Sequence, residues 1–419
     1  MFFSFLFFLI MSVYALMRDL RDAFFIFLVG FKGLPYAKIG SLFFLLLEMI
    51  IYQKMIDVWG VKKTFLSIIL FFSLFLGFFG FFLLFFSKIS SPLWGYLFYS
   101  LIEGYPPFVW SSLWSIFTFI QKNNLTPQSL SMSLYAQIGG LLSCILIYSL
   151  SYIPCFYQEK TFFALILLYS SICLLLTYLT AKDLPTNKTI KHDPGKAEGG
   201  KNRSPSEKKS FSFFKSLAII FQSGYVFCLF GIGTFWEIIN TLFNYIRLDI
   251  LTEQSTHSGI ILLRNLYKSS AISYLIGIIL LSGGTSSFVK KYGVKKTLLL
   301  FPLIVWIILC VVYFSDSYST AIWMYMIIRA LYPALIFPIK ETLYSITQES
   351  IQFKTRSWIA SFGSRISKTI TSLYMNTVLS YDSTTQRSIH QIILFVMALL
   401  FFFSASNVGT IYEKEKPKQ

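Results

Sequence analysis

Acidic residues are scarce in this chain: 19 Asp and Glu stand against 36 Lys and Arg, a formal charge of +17 at pH 7. Charged residues of either sign make up only 13% of the 419, too few to clothe a soluble protein of this length. The five cysteines, Cys144, Cys155, Cys173, Cys228 and Cys310, include no C-x-x-C pair and have no histidine beside them. That excludes a disulfide framework and a zinc site, and the cysteines read as small apolar residues. The three histidines, His192, His257 and His390, fall in a polar stretch or near expected loops, which argues against a histidine proton relay. No G-x-x-x-x-G-K-[ST] loop is present, so ATP hydrolysis is not expected, and H-E-x-x-H is missing as well. No catalytic constellation, metal or cofactor is indicated. The first apolar run follows Met1 without a basic leader or small-residue cleavage site and is expected to stay as a membrane helix.

What is abundant is apolar surface: 55% of residues are hydrophobic, 19% are aromatic, and the mean hydropathy is +0.64. Apolar runs of about 20 residues, the length that crosses a bilayer, recur along the whole chain and predict an all-α integral membrane protein. Six spans fall at about 2–30, 35–54, 64–87, 92–121, 130–153 and 161–180, and six more at about 216–246, 258–283, 294–314, 320–346, 355–380 and 391–411. The expected organisation is an N-terminal six-helix bundle over 1–180, a polar Lys-, Ser-, Pro- and Gly-rich linker over 181–215, a second bundle over 216–411 and a tail over 412–419. The halves echo each other. WGVKKT at Trp59–Thr64 precedes the third span and YGVKKT at Tyr292–Thr297 precedes the ninth, a parallel repeat that pairs Gly60 with Gly293. With Asp57, the first copy resembles the loop motif of the major facilitator superfamily, which implies that fold.

Loop lysines and arginines gather on one side of these spans, including Lys54, Lys62, Lys63, Lys122, Lys290, Lys291, Lys295, Lys296, Lys354, Arg356 and Lys414. The positive-inside rule then places both termini and the linker in the cytoplasm. The 46 phenylalanines are what an AT-rich genome encodes, a pointer to an intracellular bacterium and so to a bacterial inner membrane. The linker lysines need only anionic lipid headgroups nearby, and no nucleic-acid partner is expected. Besides the bilayer, the expected partner is a small anion, and the expected state is a monomer.

Charges inside the spans cost at least ~2.5 kcal/mol each on the gentler insertion scale, so they mark candidate sites. Arg18, Asp19, Arg21 and Asp22 interrupt the first span, where Arg18 and Asp22 can pair at i,i+4 with Arg21 on an adjoining face. Arg264 and Lys268 are four apart in the eighth span, Arg329 is near the middle of the tenth, and Arg365 and Lys368 are three apart in the eleventh. Each pair shares one helical face. With Lys38 and Lys340, these cations face only Asp19, Asp22, Glu48, Glu103, Glu237 and Glu341. An interior surplus of positive charge is expected, and an anion such as a polyphosphate matches several arginines and lysines at once. The acids are candidate ion pairs or gates.

Pro338, Lys340, Glu341 and Tyr344, then Lys354 and Arg356, then Gly363, Ser364, Arg365 and Lys368 form a pattern over 336–368. It resembles the signature of the bacterial and plastid nucleotide (ATP/ADP) translocases, F-D-P-x-K-E-M-A-Y-I, a basic loop and G-x-x-x-G-K. Arg21-Asp22 and Leu34-Pro35-Tyr36-Ala37-Lys38 match two further elements of that family. The chain departs from it elsewhere: Phe337 replaces an Asp, Phe108 and Val109 precede Trp110-Ser111-Ser112 where an acid is expected, and Met132-Ser133 replaces Lys-Arg ahead of Leu134-Tyr135. Asn240 stands where that family carries Glu, with Glu237 one turn earlier. The resemblance implies a divergent nucleotide antiporter, ATP for ADP, working by alternating access. Proton-coupled transport of another organic anion through Asp19, Asp22 or Glu103 is the alternative, and a membrane-embedded enzyme or receptor is a minor one.

Overall fold

The computed structural model describes residues 2–85, 91–120, 125–153, 158–182, 221, 223–255, 258–283, 285–315, 318–336, 339–340, 343 and 362–415. Their regular structure is helical: α1 (Phe2–Val29), a 3₁₀ turn (Phe31–Gly33), α2 (Leu34–Phe85), α3 (Pro92–Ile120), α4 (Leu125–Leu150), α5 (Glu159–Lys182), α6 (Gly224–Gln254), α7 (Gly259–Ser282), α8 (Thr285–Phe314), α9 (Tyr318–Leu331) with a π-helical turn at Tyr332–Ile336, α10 (Ser364–Val378) and α11 (Ser383–Glu415). Among the described residues, nine helical stretches are long and apolar enough to cross a membrane, α2 supplying two of them. The remaining expected spans correspond to α3, α7 and α10. The first two residues of the expected linker, Ala181 and Lys182, belong to α5; the rest of it, Glu341 and the basic loop with Lys354 and Arg356 lie outside the described residues.

Gly30, at φ 95°, ends α1, its N–H bonding the Ile26 carbonyl at 2.9 Å. Pro35 then falls in the first turn of α2, where its missing N–H costs nothing. The repeat has a backbone counterpart. Gly60 divides α2 at φ 75°, ψ 165°, and Gly293 divides α8 at φ 82°, ψ 167°, so each WGVKKT-like copy makes the same break between two helical limbs. Only glycine enters that region at little cost. Gly60→Ala and Gly293→Ala are each expected to cost about 1–3 kcal/mol, read as a lower unfolding midpoint in detergent.

Within each half, small residues let backbones approach, the usual means of association where lipid tails are as apolar as the helices. Ser73 and Ser171 exchange hydroxyl-to-carbonyl bonds at 2.9 and 2.8 Å across α2 and α5. Phe24 of α1 meets Phe79, Phe98 and Phe163 edge-on at 5.1–6.0 Å, joining four helices into one core. In the second half α11 packs on α6 and α8. The halves meet where α4 lies on α7, α1 on α7 and α2 on α10; Gly140 sits under the Tyr274 ring, and Gly277 beside Gln137.

Two expectations need correcting. The seventh span, placed at 216–246, is a helix from Gly224 to Gln254, because Asp249 and Glu253 occupy its last two turns rather than a loop. And Arg18 does not pair with Asp22: each arginine of α1 binds the acid directly after it, Arg18 with Asp19 at 2.9 Å and Arg21 with Asp22 at 2.7 Å. Asp22 is drawn instead towards Asn244 of α6, and Arg18 towards Ser270 of α7, so the long arginine side chains fold back on their neighbours.

Candidate functional site

The charges of α1 lie against both halves and divide into two groups. In the first, Asp19 is fully buried and accepts from Arg18 at 2.9 Å and from Arg247 of α6 at 3.3 Å. Its other oxygen accepts from Ser270, which in turn accepts from Arg329 of α9 at 2.8 Å and Arg18 at 3.1 Å. Arg247 also donates to Ser269 at 3.1 Å and lies 4.6 Å from the centre of the Tyr325 ring, while Arg329 donates to the Tyr274 hydroxyl at 3.3 Å. Two arginines therefore share one carboxylate directly, and a third, from another helix, reaches it through Ser270.

The second group is centred on Glu103 of α3, whose carboxylate pairs with Arg21, with Arg365 at 2.5 Å and with Lys368 at 2.6 Å. Lys368 continues to Glu237 of α6 at 3.4 Å. Lys38 is buried with its ammonium 3.7 Å from the centre of the Tyr245 ring, within electrostatic reach of Asp22 and Glu237. Glu48 lies against Gly104, within reach of Arg365.

Pro107 explains one of these bonds. It has no N–H to give to the carbonyl four residues back, that of Glu103, and Arg365 donates to that same carbonyl. Arg365 thus meets Glu103 twice, at its freed backbone oxygen and at its carboxylate, tying α10 to α3. On the other side, a Cβ on Gly363 would stand 3.0 Å from the Phe230 ring, which fixes how closely α10 approaches α6.

The remaining candidates sit apart. Arg264 does not join the cluster; at the end of the bundle opposite the chain termini it donates to Ser151 Oγ at 3.0 Å and Ser151 O at 2.6 Å, and lies 4.0 Å from the Tyr152 ring centre. Lys268, one turn on, is exposed. Close by, Glu159 accepts from the N–H of Gly259 at 2.6 Å, placing a carboxylate at the N-terminus of α7. These contacts join the halves at that end. Removing both, with Arg264→Ala and Glu159→Ala, is expected to speed modification of a cysteine placed at buried Leu262 by a polar thiol reagent. A cavity of about 160 Å³ there is lined, among the described residues, by Ile26, Phe27, Thr252, Ser255, Ser258, Gly259 and Leu262, none of them charged. Lys340 is buried beside α6, its Nζ 3.4 Å from where a Cβ on Gly233 would stand.

Sequence reasoning missed Arg247 and Asn244. Arg247 lay one residue beyond the expected end of its span; helical continuation through Asp249 and Glu253 to Gln254 would have brought it inside. Asn244 donates to Asp22 and accepts from Tyr325 at 3.3 Å, linking the two groups.

No protein-family model and no curated protein matches the sequence. Solved structures match along nearly the whole chain. The nucleoside transporter NupG aligns with a TM-score of 0.61 at 11% identity, covering 98% of this chain and 99% of that one. The Escherichia coli fucose:proton symporter FucP gives 0.63 at 12% identity over 97% of both chains, and a D-xylose-proton symporter 0.63 at 12% over 96% of both. The likeness is one of fold: the chain is a multi-pass, all-α membrane protein with a major facilitator-type fold.

Proposed function

We propose that the chain is a secondary transporter that exchanges phosphorylated anions of the nucleotide class by alternating access, with both termini in the cytoplasm of a bacterial cell. The observation that carries this is the buried meeting of cations from both halves, Arg18, Arg21 and Lys38 from one and Arg247, Arg329, Arg365 and Lys368 from the other, at the contact between them. Rocking one half against the other must open and remake those ion pairs, and an anionic solute offers the cations a replacement while they part. The fold it shares with nucleoside and sugar transporters, and the resemblance around Arg365 and Lys368, support the same reading.

Uptake of labelled ATP, ADP, other nucleotides and phosphorylated metabolites into cells expressing the protein, with and without unlabelled competitor, tests it. Failure of every nucleotide to enter or compete would refute the nucleotide assignment. A proton-coupled mechanism is the second reading, favoured by the buried carboxylates Asp19, Asp22 and Glu103 and by two neighbours described as proton symporters. Exchange is expected to be accelerated by nucleotide preloaded inside and barely affected by a protonophore. Strong protonophore inhibition without a preloading effect would transfer the role to the three carboxylates.

A further inference from the structure

The two groups of charge are not equivalent. Around Glu103 the described charges in mutual reach balance: Arg21, Lys38, Arg365 and Lys368 stand against Asp22, Glu103, Glu237 and Glu48. Around Asp19 they do not: among the described residues Arg18 and Arg247 bind one carboxylate and Arg329 reaches it through Ser270, and three positive charges against one negative leave two. Among the described residues, a positive surplus therefore stands at α1, α6 and α9, away from Arg365. An uncompensated double charge at a largely buried centre is costly unless an anion joins it. A second observation points the same way: Arg247, 1% exposed, has an Nε with no acceptor among the described residues.

We infer that Arg18, Arg247 and Arg329, with Ser269, Ser270 and Tyr274, form the subsite for a doubly charged phosphoryl group. Asp19 serves there as an intramolecular stand-in that the phosphoryl group displaces from the arginines. Planar guanidinium forks on several sides match the oxygens of a phosphate; the Ser270 hydroxyl already bridges those of Arg18 and Arg329, and Ser269 accepts from that of Arg247. Arg365, held at both the carbonyl and the carboxylate of Glu103, is a tie between halves rather than the main phosphate ligand. The inference rests on the reading of the cluster as an anion site, but it makes no use of transport, so the two can fail separately.

The test is binding of inorganic phosphate and pyrophosphate to the purified full-length protein in detergent, read as the rise in thermal unfolding midpoint with ligand and as an affinity by calorimetry. Arg247→Gln and Arg329→Gln should each weaken binding at least tenfold, and Lys296→Ala should not change it. Asp19→Asn, which removes the competing carboxylate, should unfold earlier without phosphate yet gain more from phosphate than the native protein does. If Arg247→Gln does not fold, Arg329→Gln carries the reading alone, since its arginine is bonded to Ser270 and Tyr274 and not directly to Asp19. The inference is overturned if folded Arg329→Gln binds phosphate as tightly as the native protein, or if Arg365→Gln weakens binding more than the Asp19-group variants do. Phosphate binding that follows this pattern in a protein that moves no nucleotide would keep the subsite and remove the nucleotide assignment.

Discussion

Glu103→Gln should lower folding stability by about 3–5 kcal/mol, the usual result of removing one member of a buried ion pair while its cations stay behind. The carboxylate is 2% exposed and binds Arg21, Arg365 and Lys368, which come from both halves. Glutamine has nearly the same shape, so the loss measures charge rather than packing. Thermal unfolding in detergent would show it, and the double variant Glu103→Gln, Arg365→Gln should recover part of it because one orphaned cation is removed as well. A Glu103→Gln protein with the native midpoint would mean that the cations find other partners, and that the tie between α3 and α10 is dispensable.

Gly139→Val is expected to be the most disruptive packing change, beyond the about 1–3 kcal/mol usual for overpacking. A Cβ at that position would run into the backbone carbonyl of Phe8, and Ser12 already bonds the Gly139 carbonyl at 3.1 Å. Backbone cannot rotate out of the way as a side chain can, so α4 would have to leave α1, taking with it the support of the charged turns of α1. Gly40→Val is the matching control, since nothing stands within 4 Å of a Cβ there. Loss of monodisperse protein for the first and not the second is the expected outcome.

The spans were legible because hydrocarbon thickness fixes their length, and the repeat because a positive-φ glycine followed by Val-Lys-Lys-Thr is written identically in both halves. The basic surplus was legible as a count. Its location was not, because which charges cancel is decided by contacts more than 200 residues apart in sequence, such as Asp19 with Arg247 and Glu103 with Arg365. Arg264 shows the same gap from the other side: helical spacing put it on a face with Lys268, but nothing in its own helix said that α4 would end opposite it and offer Ser151. The role of Pro107 depended likewise on a partner from α10, though the pair Pro106-Pro107 inside an apolar span was a visible signal of freed carbonyls.

The adjacent pairs of α1 bear on the order in which the protein is made. A ribosome delivers α1 to the membrane long before Arg247, Arg329 or Arg365 exists, and four bare charges at its centre would each oppose insertion by ~2.5–3.5 kcal/mol. Arg18 with Asp19 and Arg21 with Asp22 are neighbours in sequence, so both neutral pairs are complete as soon as the first helix emerges. Arg247 reaches Asp19 only after 228 further residues have been translated, and its arrival turns a balanced nascent helix into one pole of a charged centre. The first helix enters lipid as an electrically quiet segment, and it acquires its charge from the second half of the chain.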